Sequence, residues 1–127
     1  MVVRSQWISV ALTAFDLRAQ AKAALQSLAA AATATSKIRL LTGAMLLPLY
    51  DPIRAAEMAC TIDVLSNGRL TLGLGMGYRV MEFDGMALAK STRGARLTEA
   101  MEIIREATRQ ETFSYSGKHY QYQDLRI

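Results

Sequence analysis

A chain of 127 residues, 51% of them hydrophobic and 20% charged, has the make-up of a soluble globular protein and is long enough to bury one core. Its 15 basic and 11 acidic residues leave a net charge of +4 spread along the chain with no accompanying motif, so no nucleic-acid partner is expected. One cysteine excludes a disulfide framework and a cysteine-rich metal site, which fits a reducing, cytoplasmic setting.

Met1 to Phe15 is the least regular part. Its apolar run, Trp7 to Leu12, follows Arg4 but is short and soon meets Asp16 and Arg18, unlike a secretion signal. No stretch approaches the roughly 20 apolar residues of a membrane span, so no membrane partner is expected. From Asp16, a good N-cap, Leu17, Ala21, Ala24, Leu25, Leu28 and Ala31 or Ala32 share one face of an alanine-rich helix that Thr33 to Ser36 end.

Ile38 to Leu47 is a near-continuous apolar run, as expected of a strand covered on both faces, and Pro48 ends it. Asp51 then caps a helix with Pro52 at its first position, where the missing N–H does no harm, and Ala55, Met58, Ala59, Ile62 and Leu65 recur at helical spacing. Cys60 lies beside that stripe and reads as a packed thiol. Ser66-Asn67-Gly68 stop the helix through residues that tolerate the left-handed conformation, and Arg69 to Met76 reads as a second strand. Two strands joined through a helix by such short turns make a βαβ unit with parallel strands.

The second strand has unlike faces: Leu70, Leu72, Leu74 and Met76 on one side, Thr71, Gly73, Gly75 and Gly77 on the other. Glycines at alternate positions mean either tight packing or a bend, or a ligand that approaches the backbone closely. The run Gly73 to Tyr78 is not a dinucleotide fingerprint, because it reads G-x-G-x-G and begins inside the strand. An anion-binding turn is a further reading.

Val80 to Thr92 reads as a loop or short helix. Arg93 to Arg109 reads as an amphipathic helix that buries Leu97, Ala100, Met101, Ile104 and Thr108, with Glu102 and Arg105 as an i,i+3 pair on the solvated side. Arg93 and Arg96 read as surface charge. Thr112 to Tyr115 and Lys118 to Tyr122 flank Ser116-Gly117 in a hairpin that pairs Phe113 with Tyr120 and puts Tyr115 and Tyr122 on one face. Those aromatics need cover from helices or loops, from a dimer surface, or from the rim of a substrate site. The single histidine, His119, lacks a second ligand, so no metal is expected.

The run IRLLTGAMLLPLYDPIRAAEMACTIDVLSNGRLTLGLGMGY, with Glu82-Phe83, RGARLTEA from Arg93 and SGKHY from Ser116, resembles the bacterial luciferase-like flavin-dependent monooxygenases and their deazaflavin-dependent relatives. The match covers about Ala24 to Ile127 and falls on the third and fourth βα units. The resemblance implies an α/β fold, part of a TIM (β/α)8 barrel. A closed barrel takes about 250 residues, so this chain supplies one incomplete domain: residues 1–15 unmatched, 16–110 the βα units, 111–127 the hairpin and chain end. Open parallel edges imply self-association or a complementing chain.

The resemblance also implies FMN as cofactor, with a deazaflavin as the alternative, oxidising a small organic substrate with O2. The rival expectation is an inactive barrel fragment. The resemblance places a non-proline cis peptide under the flavin ring at Gly43-Ala44, preceded by Thr42, while small core residues are the plainer reading. Gly75, Met76, Gly77 and Tyr78 fall in the turn that borders the flavin. Bacterial luciferase has an arginine on the cofactor phosphate where this chain has Met76 and a reactive cysteine where it has Gly75. Those departures separate the chain from luciferase proper, and Arg79 is a weak substitute for the phosphate contact.

Overall fold

The computed structural model describes residues 17–127, with side chains from Ala24 onward. The readings of Met1 to Phe15, of Asp16 as a cap and of Leu17 and Ala21 as core lie outside the described residues. The elements run in the order α1 (Leu17–Ala34), β1 (Leu40–Leu41), β2 (Met45–Leu46), α2 (Pro52–Ser66), β3 (Leu70–Thr71), β4 (Leu74–Gly75), α3 (Val80–Gly85), α4 (Arg93–Ala107), β5 (Phe113–Ser116) and β6 (Gln121–Leu125). The result is a mixed α/β fold with parallel strands. It divides into two compact units, one formed by the described residues up to Met45 with Thr61–Leu74, the other by Leu46–Cys60 with Gly75–Ile127.

In the first unit, α1 packs on β1, and β1 runs parallel to β3 with Leu40 beside Leu70 and Leu41 beside Thr71. The buried apolar residues include Leu25, Leu28, Ala32 and Leu40. The helical stop expected at Ser66-Asn67-Gly68 is present. Asn67 and Gly68 have φ of 56° and 77°, and the Gly68 N–H donates to the Asp63 carbonyl at 2.9 Å. Each expected long strand is instead two short ones. The first breaks at Thr42–Ala44 and ends in a 3-10 turn at Leu47–Leu49, so Leu47 is not strand, and Pro48 sits inside that turn. Arg69 draws the turn between α2 and β3 onto the end of α1, donating to the carbonyls of Ala32, Thr35, Ile38 and Ser66 and to the Thr35 hydroxyl.

In the second unit, Asp51 Oδ1 accepts from the Ile53 and Arg54 N–H groups, both at 3.0 Å, and so caps α2 as expected. Such a cap is worth about 1 kcal/mol, whereas the exposed Arg54–Glu57 pair at 2.8 Å on the next turn is screened by solvent. Ile53, Ile103, Ala107 and Phe113 form the core, with Tyr115, Tyr120, Tyr122 and Leu125 against it, so the aromatic face is covered from within the unit.

Several expected phases are corrected. Met58 and Leu65 of α2 are exposed, and Cys60 is exposed instead of packed. Ile53 and Ala56 are buried alongside the expected Ala55, Ala59 and Ile62, which turns the apolar stripe toward the start of the helix. In α4, Ile103 and Ala107 are buried with Ala100, while Met101 and Thr108 are exposed. Glu102 does not serve Arg105: Arg105 pairs with Glu106, and Glu102 accepts a hydrogen bond from the Tyr115 hydroxyl at 2.9 Å.

The hairpin register also differs from expectation. Phe113 pairs with Leu125, not Tyr120, because the turn is wider than two residues and the Gly117 N–H closes on the Tyr120 carbonyl at 2.9 Å. Glu99 on α4 holds that turn by accepting the Lys118 and His119 N–H groups at 3.2 and 2.9 Å. The new register sets Tyr115 directly opposite Tyr122, and the two share one face as expected.

Burial, then the hydrogen bond to Glu102, pushes the Tyr115 hydroxyl up to about 12, and burial alone does the same to Tyr50. A phenol harder to ionise when folded contributes stability that is whole below about pH 10 and is lost as pH rises through about 12. The urea midpoint should therefore fall between pH 9 and pH 12, and less steeply for Tyr115→Phe. Identical slopes for the two proteins would refute this assignment.

Candidate functional site

Two of the expected site segments fall in different units, and each has its own geometry. In the first unit, the β1 strand leaves its partner after Thr42, whose N–H still donates to the Thr71 carbonyl at 3.3 Å. Thr42 is 3% exposed, and its hydroxyl would be stranded in an apolar run without a partner. It finds two on one residue: Oγ1 donates to the Gly73 carbonyl and accepts the Gly73 N–H, each at 2.9 Å. Two residues on, the Met45 N–H also donates to the Gly73 carbonyl, at 2.8 Å.

Between these anchors Gly43 and Ala44 stand out, exposed, joined by a cis peptide bond of the kind the resemblance places there. A Cβ built on Gly43 would meet nothing within 4 Å among the described residues. The plainer reading, in which both are small core residues, does not hold, since both face out. What they offer is a flat, side-chain-poor patch of backbone.

Gly73 answers the question raised by the alternate glycines. A Cβ there would run into the Thr42 carbonyl oxygen, so what approaches this backbone closely is the chain's own neighbouring strand. Neither Gly73 nor Arg69 stands among the sequence-derived site residues. The signal for the first was Thr42 itself, a polar side chain inside an apolar run that had to find a partner.

In the second unit, Gly77 has φ of 75°, and a Cβ on it would press on the Phe83 ring at 3.2 Å, so the turn from Gly75 through Met76 and Gly77 to Tyr78 is packed on α3. Met76 and Tyr78 are exposed. The Arg79 guanidinium lies 5.6 Å from the centre of the Tyr78 ring, and its Nε donates to the Tyr78 hydroxyl at 3.4 Å, a contact that raises the arginine further. Arg93 and Arg96, read as surface charge, are half-buried at the start of α4. Arg96 covers the Tyr120 ring at 5.0 Å, and Arg93 Nε, Arg96 Nη1 and the Tyr120 hydroxyl are buried with no hydrogen-bond partner among the described residues. Among the described residues no group of three or more His, Cys, Asp or Glu could hold a metal, and no helix is long and apolar enough to cross a membrane.

The family model for luciferase-like monooxygenases matches residues 7–127. Among curated proteins, the uncharacterized protein y4vJ of Sinorhizobium fredii is 39% identical over 87 residues, covering 68% of this chain and 25% of that protein. A pyrimidine monooxygenase, RutA of Pseudomonas savastanoi pv. phaseolicola, is 33% identical over 105 residues, covering 79% and 29%. Among solved structures, the monooxygenase RslO1 of Streptomyces bottropensis superposes with a TM-score of 0.74 at 31% identity, over 77% of this chain and 30% of that one. The oxygenating constituent of 3,6-diketocamphane monooxygenase from Pseudomonas putida, a type II Baeyer-Villiger enzyme in complex with FMN, does so with a TM-score of 0.71 at 26% identity, over 77% and 28%. The chain thus spans less than a third of the length of each.

Proposed function

We propose, for a chain that belongs to the luciferase-like monooxygenase family, that it supplies part of a (β/α)8 barrel whose function is to hold FMN for oxidation of a small organic substrate with O2. The observation that carries this reading is the exposed Gly43-Ala44 patch. A planar ring needs a surface with no side chain standing on it, and this one is open. When bound, the flavin supplies the redox chemistry. The chain's own part is to present the patch, fix its position and keep bulk away from it. Within the second unit, Gly75, Met76, Gly77 and Tyr78 remain proposed cofactor contacts.

A second reading is favoured by the relatives' greater length and by the exposed Met81 and Met86 beside Tyr78 and Val80. In it the chain acts only when another copy or a partner chain covers its open faces. The two are separated by titrating the purified protein into FMN, following fluorescence quenching, with the mass recorded on the same sample. Saturation at micromolar FMN is expected. Gly43→Val should weaken it by more than about tenfold with the fold intact, because an isopropyl group on the patch lifts a ring away from it. No quenching with FMN or with a deazaflavin, from a folded sample at any mass, would refute the cofactor reading.

A further inference from the structure

We propose that Thr42 is a positioning residue that sets the Gly43-Ala44 patch through Gly73, and is not itself a cofactor contact. The inference rests on the proposal that a flavin ring lies on that patch.

Thr42 is buried, and its hydroxyl is engaged by Gly73, whereas the backbone that follows it is exposed. The hydroxyl's one donor and one of its two acceptor lone pairs are taken by the main chain of Gly73. The Gly73 carbonyl takes a second donor from Met45. The residues immediately before and after Gly43-Ala44 are therefore fixed to a single point on the neighbouring strand, and the two exposed residues span the interval between them. Glycine is required at that point, since any Cβ there would meet the Thr42 carbonyl. A site loses affinity when the groups that support its contact surface are loosened, even if no contact is removed. Losing the Thr42 hydroxyl leaves that end of the two-residue span held only through the Thr42 N–H on the Thr71 carbonyl at 3.3 Å, while Met45 still holds the other to Gly73. The patch then keeps its composition and loses its placement.

Two variants test this in the 127-residue chain. Thr42→Val keeps the shape and removes the hydroxyl; Thr42→Ser keeps the hydroxyl and removes the methyl. FMN and 5-deaza-FMN are titrated into each, well below its melting temperature, with folding followed by circular dichroism. Thr42→Val is expected to bind about tenfold more weakly than the parent, while Thr42→Ser stays within about threefold. A merely structural threonine would lower the melting temperature of Thr42→Val and leave the affinity of its folded fraction unchanged, and that result overturns the proposal. If Thr42→Val does not fold, Thr42→Ser decides alone: a folded serine variant that loses tenfold overturns the hydroxyl's role, and near-parental affinity supports it. Failure of the parent chain to bind either flavin overturns the proposal together with the reading beneath it, whereas equal binding by parent and valine variant overturns this inference only.

Discussion

Arg69→Ala should lower the stability of the chain by about 3–5 kcal/mol, at the upper end of what single substitutions do. All five guanidinium donors are used: Nε on the Ser66 carbonyl at 2.6 Å, Nη1 on the Thr35 hydroxyl at 2.9 Å and the Ile38 carbonyl at 2.7 Å, and Nη2 on the carbonyls of Ala32 at 2.8 Å and Thr35 at 2.7 Å. Three of those carbonyls lie at or just past the ends of α1 and α2, where helical carbonyls have no partner of their own and the helix dipole favours a cation. Alanine strands them all at once, and truncation costs more than the bonds are worth because the acceptors left behind are partly buried. Arg69→Lys should recover less than half of the loss, since an ammonium on a flexible stem has three donors and cannot reproduce the planar fork. Urea unfolding followed by circular dichroism reads the effect. A loss below about 1 kcal/mol for the alanine variant would show that the cluster is ornamental.

The second large effect is expected at Gly73. An alanine methyl would overlap the Thr42 carbonyl and lie 3.3 Å from its carbon, and backbone held by hydrogen bonds at Thr42 and Met45 cannot swing aside as a side-chain tip can. Gly73→Ala should cost about 3 kcal/mol or prevent folding. The control is Gly43→Ala, one strand away, where the new methyl meets nothing within 4 Å and where the change should stay within about 1 kcal/mol. Thermal melts of the two variants side by side give the comparison. Equal behaviour would refute the close approach of the strands at Thr42 and Gly73.

Much of this was legible from local chemistry. The Asp51 cap and the Asn67-Gly68 stop each follow from residues within a few positions of one another, the parallel pairing of the strands around α2 follows from the short turns that join them through a helix, and each is present. What could not be read is what depends on distant partners. The stripe on α2 was placed by periodicity, but Met58 and Leu65 fit the period as well as Ile53 and Ala56 do, and only packing decides which side turns in. Glu102 has an arginine three positions on, yet it serves a tyrosine on the hairpin. The hairpin register failed for a related reason: Ser116-Gly117 is a good two-residue turn by composition, but Glu99 holds the backbone of Lys118 and His119 in a wider one. At the candidate site, the small residues were visible and the device that fixes them was not, because Thr42 and Gly73 are 31 positions apart.

Asp51 divides its two oxygens between near and far: Oδ1 serves the first N–H groups of α2, and Oδ2 accepts the Tyr122 hydroxyl at 2.9 Å from 71 positions away. On a ribosome those two events are separated in time. Synthesis at about 5–20 residues per second puts several seconds between the emergence of the aspartate and that of the tyrosine. During that interval α2 can start with its cap made while the carboxylate's other oxygen faces water, and only the arrival of β6 ties the beginning of the helix to the last strand. Pausing translation before the codon for Tyr122 should therefore leave a nascent chain with the βαβ turn around α2 formed and its aromatic layer still open.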